Sequence, residues 1–247
     1  MQAKIERAVL LRCLGHVQSV VERRNTIPIL SNVLIEAMVD ADGSGVIRVM
    51  ATDLDMQIVE TVAAKVETPG ATTVSAHLLF DIARKLPEGS EVSLSAATGE
   101  MRVAAGRYQS KLKTLPRDDF PIIAATSGEG GDLPCRFEMA AKDIISIIER
   151  TRFAISTEET RYYLNGIFWH VSDEEGGYLR AAATDGHRLA RYTLPRPTGA
   201  EAMQDFAGGG VILPRKCITE LHKLLVEAVD EQVQVEVSAS KIRFTYG

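Results

Sequence analysis

The sequence is poor in cysteine and in long apolar runs, and each shortage excludes a class of protein. Its three cysteines, Cys13, Cys135 and Cys217, are odd in number and lie far apart without a C-x-x-C pair, so neither a disulfide framework nor a zinc knuckle is indicated. No window approaches the roughly 18 uninterrupted apolar residues of a membrane span, and the N-terminus lacks the long apolar region of a signal peptide. The sequence therefore predicts a cytoplasmic protein with reduced thiols and no membrane contact.

The sequence also has fewer basic than acidic residues. The chain has 28 Lys and Arg against 33 Asp and Glu, a net charge of −5, which argues against a protein that is basic over its whole surface. The remaining composition, 45% hydrophobic and 25% charged, is typical of a globular protein. A length of 247 residues allows one large domain or two smaller ones.

An internal repeat is the most informative feature of the sequence. Ala51-Thr-Asp-Leu-Asp, which ends a predicted pair of strands, recurs as Ala183-Thr-Asp-Gly-His at an offset of 132 (184 − 52). Residues 91–106 correspond to residues 232–247 at an offset of 141 (232 − 91). The sequence therefore contains two copies of one kind of domain.

The repeat gives a domain over residues 1–123 and a second over 135–247, joined by a linker at 124–134 that is rich in Gly, Ser and Asp. Each copy is expected to be α+β, with two helices packed on antiparallel sheets. The helices are predicted at residues 7–20, 76–87, 139–152 and 214–227. The first copy continues into a closing strand at 107–116, whereas the second has no counterpart. We therefore expect a fragment of a longer polypeptide whose second domain lacks its final strand.

Charge is distributed unevenly between the predicted elements. The four predicted helices carry ten basic and five acidic residues, a sum of +5, which leaves −10 for the rest of the chain (−5 − 5 = −10). Basic helices on an acidic body suit a protein whose helices face phosphates. Exposed helix faces are often rich in Lys and Arg for solubility alone, so charge by itself leaves both interpretations open.

Two polar or aromatic motifs allow both a functional and a structural interpretation. Asp185 and His187 could form an acid–base pair, but no supported nucleophile accompanies them, and the first copy has no His at this place. The shared Thr-Asp is therefore interpreted as turn chemistry that presents the loop to a partner. Tyr162 and Tyr163 could stack on bases, although one of the two is expected in the core because adjacent strand residues point to opposite faces. We expect no catalytic residue, metal or cofactor, with an enzyme that uses Asp185 and His187 as an alternative.

Eight segments, in order along the whole chain, resemble the bacterial DNA polymerase III beta subunit family, the replicative sliding clamps. The most specific are Tyr162-Tyr-Leu-Asn-Gly and Ala183-Thr-Asp-Gly-His-Arg-Leu-Ala. The other six are Arg24-Asn-Thr-Ile-Pro-Ile-Leu-Ser-Asn-Val-Leu, Ala51-Thr-Asp-Leu-Asp-Met, Pro69-Gly-Ala-Thr-Thr-Val, Leu86-Pro-Glu-Gly, Leu115-Pro-Arg-Asp-Asp-Phe-Pro and Leu213-Pro-Arg-Lys.

The resemblance implies three similar domains per protomer, of which the third is absent from this sequence. Two protomers would close head to tail into a six-domain ring whose helices line a hole for duplex DNA. It implies a processivity factor without catalytic activity, as a subunit of the DNA polymerase III holoenzyme, which as a whole is a DNA-directed DNA polymerase and so a nucleotidyltransferase. A nucleic-acid-binding module that forms no ring is the alternative.

The resemblance also implies two sets of site residues. Sequence-independent DNA binding is expected at Arg24, Tyr162, Tyr163, Arg215 and Lys216. We add Arg84 and Lys85 on charge and helix position. The resemblance implies a pocket for clamp-binding peptides of the DNA polymerase III alpha subunit, the clamp loader and repair polymerases. It is expected at Leu164, Thr184, Gly186, His187, Arg188 and Leu189. A short peptide anchored by apolar side chains suits partners that exchange.

Overall fold

The duplication in the sequence recurs in the structure as two units with nearly the same order of elements. A computed structural model of the chain describes residues 1–22, 26–40, 42–123, 133–158, 160–173, 177–206 and 208–247. Its internal contacts divide the chain into Met1–Ser127, called unit 1, and Gly128–Gly247, called unit 2. Within the described ranges, no helix has the length and apolar character needed to cross a membrane.

The described part of unit 1 contains two helices and nine antiparallel strands. In chain order these are β1 (Gln2–Glu6), α1 (Arg7–Gln18), β2 (Asn32–Val39), β3 (Gly45–Thr52), β4 (Gln57–Ala63), β5 (Lys65–Thr68), β6 (Gly70–Ser75), α2 (Ala76–Lys85), β7 (Glu91–Ala97), β8 (Glu100–Ala105) and β9 (Tyr108–Leu115). The strands form one sheet in the order β4-β3-β2-β6-β9-β8-β7-β1-β5. Short 3₁₀ turns at Pro28–Ser31 and Arg117–Asp119 precede β2 and follow β9.

The described part of unit 2 repeats this plan with two helices and seven strands. They are β10 (Cys135–Ala140), α3 (Ala141–Thr151), β11 (Gly166–Ser172), β12 (Tyr178–Thr184), β13 (Leu189–Pro195), β14 (Gly210–Pro214), α4 (Arg215–Glu227), β15 (Gln232–Val237) and β16 (Ile242–Thr245). The strands form two antiparallel sheets, β10-β15-β16 and β13-β12-β11-β14. The predicted α+β class, with two helices packed on antiparallel sheets in each copy, is confirmed.

Strand β9 joins two groups of strands in unit 1. Its first six residues pair with β8, and its last two, Thr114 and Leu115, pair with Val74 and Thr73 of β6. The predicted closing strand at 107–116 is thereby confirmed. Among the described residues of unit 2, no strand lies between β16 and β14, so that unit's strands remain in two sheets.

The helices bury one apolar stripe against one face of the strands. In α3 the stripe consists of Ile144, Ile147 and Ile148, all at most 1% exposed. Trp169 of β11 is fully buried in the same core and meets the ring of Phe244 edge-on, with 6.1 Å between the ring centroids. Each of these large side chains contributes roughly 1.5 to 3 kcal/mol by leaving water. This burial fixes which face of each helix points away from the core.

All four predicted helices extend too far at one or both ends, and for two of them the reason is identifiable. Met139 lies in β10, where it pairs with Val233, so α3 begins only at Ala141. Helix α2 ends at Lys85 because Leu86 adopts an extended backbone, with ψ of 151°, before Pro87. A residue that precedes proline is pushed out of the helical region by its contact with the ring.

A buried carboxylate is held by two arginines in each unit. In unit 2, Glu236 of β15 is 3% exposed and lies between Arg136 of β10 and Arg243 of β16, the first at 3.3 Å from Nε to Oε1. Unit 1 has a similar arrangement on strands that are not equivalent, formed by Glu36 of β2, Arg48 of β3 and Arg117. Removing either the carboxylate or its arginines would destabilise the fold, because the charge that remains would be left unpaired.

We expect Glu236→Gln to destabilise unit 2, because it leaves two arginines facing a neutral amide. The free energy of unfolding should fall by about 2 kcal/mol, less than for a fully buried pair because both arginines reach solvent. Urea unfolding followed by circular dichroism measures the change. Glu138→Gln, on an exposed position of β10, is the matched control and should leave the midpoint unchanged. Equal midpoints for the two variants would contradict the assignment.

Candidate functional site

The turn between β12 and β13 is closed by side chains that bind its own backbone. The Thr184 hydroxyl donates to the carbonyl of Arg188 at 2.8 Å and accepts from the backbone N–H of Gly186 at 3.1 Å. Asp185 Oδ1 accepts from the backbone N–H groups of His187 and Arg188, each at 3.0 Å. The interpretation of Thr-Asp as turn chemistry is confirmed by these bonds.

The Asp185 carboxylate is committed to this turn. The backbone N–H groups of His187 and Arg188, with the Arg188 guanidinium at 2.9 Å from Oδ2, hold the pKa of Asp185 below its usual range. The contact between Asp185 and His187 runs through the backbone N–H and not through the imidazole. An ionised carboxylate that is already occupied in this way is poorly suited to acid–base catalysis.

Unit 1 contains the same turn with the same hydrogen bonds. Thr52 Oγ1 donates to the carbonyl of Met56, and Asp53 Oδ1 accepts from the backbone N–H groups of Asp55 and Met56. Leu54 has a φ of +82° where Gly186 has +90°. A side chain is thus accommodated at this backbone conformation, although at a cost.

Gly186 is also closely approached by the side chain of Arg161. A Cβ placed on Gly186 would lie 3.3 Å from Nη1 of Arg161. The Arg161 guanidinium itself pairs with Glu158, with 3.1 Å between Nε and Oε2. Arg161 therefore lies against the turn, a contact that residue spacing alone does not reveal.

Large apolar side chains are exposed around this turn of unit 2. Leu189, at the start of β13, is 69% exposed. Phe153, in the 3₁₀ turn Arg152–Ala154, is 54% exposed, and its ring centroid lies 5.7 Å from the guanidinium carbon of Arg188. Sequence reasoning missed Phe153, because an aromatic residue just after an amphipathic helix is expected in the core.

Tyr162 and Tyr163 are both at the surface. They are 79% and 54% exposed, and their rings meet edge-on with 5.7 Å between centroids. The expectation that one of them belongs to the core is wrong. The two residues lie in a 3₁₀ turn, Tyr162–Leu164, and not in a strand, so the alternation of faces does not apply to them.

In unit 1 the surface that corresponds to this apolar region is covered by the chain itself. Phe120 is 5% exposed and packs with Leu30, Leu34 and Met50 in a small separate core. The backbone N–H of Ile123 donates to Gln57 Oε1 at 2.9 Å.

The residues at the equivalent positions of unit 2 are more exposed to solvent. Leu164, Phe168 and Ala182 are partly exposed, and Leu189 occupies the position of Gln57 next to the turn. The two units therefore share a turn but differ in the apolar surface beside it.

The predicted DNA-binding residues of the helices lie at helix ends. Arg215 and Lys216 are the first two residues of α4, and both are exposed. Arg84 and Lys85 are exposed in the last turn of α2, where a cation also favours the helix dipole. Arg84 pairs with Asp81 at 3.1 Å. Arg24 lies outside the described residues.

The charge on the observed helices is slightly lower than predicted. Arg152 falls just beyond α3, so the four helices carry nine basic and five acidic residues, a sum of +4 (9 − 5). The chain as a whole carries −5. The helices therefore remain the positive part of a negative protein.

Comparison with family models assigns both units. Residues 1–124 match the model described as DNA polymerase III beta subunit, N-terminal domain, and residues 138–247 match the model of its central domain. The chain belongs to the DNA polymerase III beta subunit family. The match covers nearly the whole chain and follows the order of the two units.

Relatives and solved structures of the family carry sliding-clamp names. The beta sliding clamp of Caulobacter vibrioides strain NA1000 is 48% identical over 250 residues, covering 100% of this chain and 63% of the relative. That of Escherichia coli K12 is 36% identical over 248 residues, covering 100% of this chain and 62% of the relative. The chain thus spans less than two thirds of the length of these relatives.

A solved structure of the sliding clamp from Bartonella birtlesii, bound to griselimycin, superposes with a TM-score of 0.91 at 44% identity. It covers 100% of this chain and 62% of the other. The fold of both units is therefore that of a sliding clamp.

The turn should lose stability in acid as Asp185 is protonated. Because the folded pKa of Asp185 is lowered, its contribution is fully present above the ordinary value of 3.8 and is lost as the pH falls through the folded pKa. We expect Asp185→Asn to lower the urea midpoint of unit 2 at pH 7, and the difference from wild type to shrink below pH 3.8. Asp205→Asn, at an exposed residue at the end of the 3₁₀ turn Ala200–Asp205, is the control. A difference independent of pH would contradict this role.

Proposed function

We propose that this chain is part of a non-catalytic sliding clamp, the processivity factor of a bacterial replicative DNA polymerase. The observation that carries the proposal is a clamp unit that occurs twice, with four helices that together sum to +4 within a chain of −5. A positive helical layer attracts phosphates through charge and reads no bases. Weak contacts of this kind permit the clamp to slide along DNA, and encirclement of the duplex keeps the clamp on it.

The DNA-binding surface in this proposal combines basic helix ends with exposed aromatics. Arg215 and Lys216 begin α4, and the exposed Tyr162 and Tyr163 offer ring faces for stacking. Arg24, Arg84 and Lys85 complete the proposed set. Binding of this kind is independent of sequence and weakens with salt, because each neutralised phosphate releases counterions.

The partner site in this proposal is the apolar surface around the turn of unit 2. Leu189 and the partly buried Leu164 supply apolar contacts, while Thr184, Gly186, His187 and Arg188 supply the turn. Clamp-binding peptides of the polymerase alpha subunit, the clamp loader and repair polymerases are the proposed ligands. Solved sliding clamps of Bartonella birtlesii and Pseudomonas aeruginosa are bound to griselimycin, which makes this compound a suitable probe.

The proposal extends to the assembly. The protein that carries this chain would close as a head-to-tail homodimer of three-domain protomers in the cytoplasm, as a subunit of the DNA polymerase III holoenzyme. Its relatives are longer than this chain, which leaves room for a third unit.

Retention on circular DNA tests the proposal. The protein that carries this chain, loaded on a nicked circle by a clamp loader, should resist a high-salt wash and be released when the circle is cut. Linear duplex of the same length is the control and should retain none after the wash. Equal retention on both DNAs would instead indicate a nucleic-acid-binding module that forms no ring.

Griselimycin binding tests the partner site. We expect Leu189→Asp to weaken binding by about tenfold or more, because it removes an apolar contact worth at least 1.4 kcal/mol and places a charge there. Isothermal titration calorimetry measures the dissociation constant. Val226→Asp, at an exposed apolar position near the end of α4, is the matched control and should bind like wild type. Equal weakening by both variants would place the site elsewhere.

A further inference from the structure

A small cavity next to the end of α3 is lined by two arginines from different elements. Its volume is about 180 Å³, and its lining residues are Arg152, Ile155, Arg215, Ile218 and Thr219. Arg152 begins the 3₁₀ turn after α3, and Arg215 is the first residue of α4. Ile218 and Thr219 follow Arg215 by three and four residues and so lie on the same face of α4.

The positive charge in this cavity is not neutralised within the described ranges. There, the side chains of Arg152 and Arg215 take part in no hydrogen bond or ion pair. Glu149 of α3 and Glu220 of α4 are held by other side chains, His222 at 3.2 Å and Lys223 at 2.8 Å. Two like charges that share a small cavity repel each other, and a bound anion removes this repulsion.

We propose that Arg152 and Arg215 together bind one phosphate of the DNA backbone in this cavity. The planar fork of each guanidinium matches two phosphate oxygens. The cavity is about six times the 30 Å³ that one water takes in the liquid, which is room for a phosphate group. Ile155 and Ile218 exclude water from part of the wall and strengthen the interaction. The inference rests on the proposed function, because duplex DNA supplies the phosphate.

Titration with inorganic phosphate tests whether the two arginines form one site. In the full chain labelled with ¹⁵N-arginine, the Nε–Hε resonances of Arg152 and Arg215 should shift with one dissociation constant. Arg150 lies over the ring of Tyr192 at 5.3 Å and should not respond. Arg152→Ala should weaken phosphate binding at Arg215. Two different constants, or an Arg215 that ignores Arg152→Ala, would overturn the proposal.

The salt dependence of duplex binding tests whether the ligand is the backbone. Anisotropy of a labelled duplex with 5′-hydroxyl ends gives the slope of log K against log salt. The double variant Arg152→Ala with Arg215→Ala should reduce this slope by about one relative to the Arg150→Ala control, since one phosphate contact is lost. A slope reduced by two would mean that the arginines contact two separate phosphates. An unchanged slope would mean that they contact no phosphate. A loss seen only with 5′-phosphorylated ends would mean that a terminal phosphate is bound. Each of these three results overturns the proposal.

Two further results separate this inference from the proposed function and from misfolding. If the wild-type chain binds duplex and the double variant equals Arg150→Ala, the inference fails and the proposed function stands. If the wild-type chain shows no salt-dependent binding to duplex, the proposed function fails. Arg152→Lys keeps the charge without the fork, so it should keep the thermal midpoint of wild type and still weaken phosphate binding. Unchanged phosphate binding in this variant would count against the forked contact.

Discussion

Burial of one apolar stripe per helix is the constraint on which the rest of each unit depends. Ile144, Ile147 and Ile148 must face the strands, so the remaining face of α3 is left for charged side chains. The same holds for α4, where Ile218, Leu221 and Leu225 are buried. The basic residues of both helices are accordingly exposed and lie outside the core. A net negative protein can present a positive surface in this way because its charges are sorted by element.

The two copies of the Thr-Asp turn show how one local structure serves different surroundings. Their hydrogen bonds are the same, and both hold a residue with positive φ at the third position. Beside the turn of unit 1, Phe120 covers the apolar surface, whereas Leu189 of unit 2 is largely exposed. The turn is thus a structural device in both units, and the two units differ in the apolar surface that lies next to it. A catalytic role would need side chains that the turn already uses.

The repeat, the helices and the closing strand could be predicted from the sequence because each depends on local pattern and spacing. The ends of the helices are predicted less accurately, because they depend on neighbouring residues. Met139 pairs with Val233 in β10, and Leu86 is extended because Pro87 follows it. The exposure of Phe153 and the approach of Arg161 to Gly186 could not be predicted, because they join residues from different elements. The expected burial of one tyrosine is wrong because Tyr162 and Tyr163 lie in a 3₁₀ turn, where neighbouring side chains do not alternate between two faces.

The position of β9 has a consequence for the continuity of the sheet in unit 1. The strand shares its hydrogen bonds between β8 and β6, and the Thr73 hydroxyl adds a bond to the carbonyl of Leu115 at 2.8 Å at the junction. The two groups are therefore joined through different residues of one strand, and the junction with β6 consists of only two residue pairs and the Thr73 hydroxyl. The nine-stranded sheet is continuous only because β9 changes partner along its length, and this junction has the fewest residue pairs between neighbouring strands of the sheet.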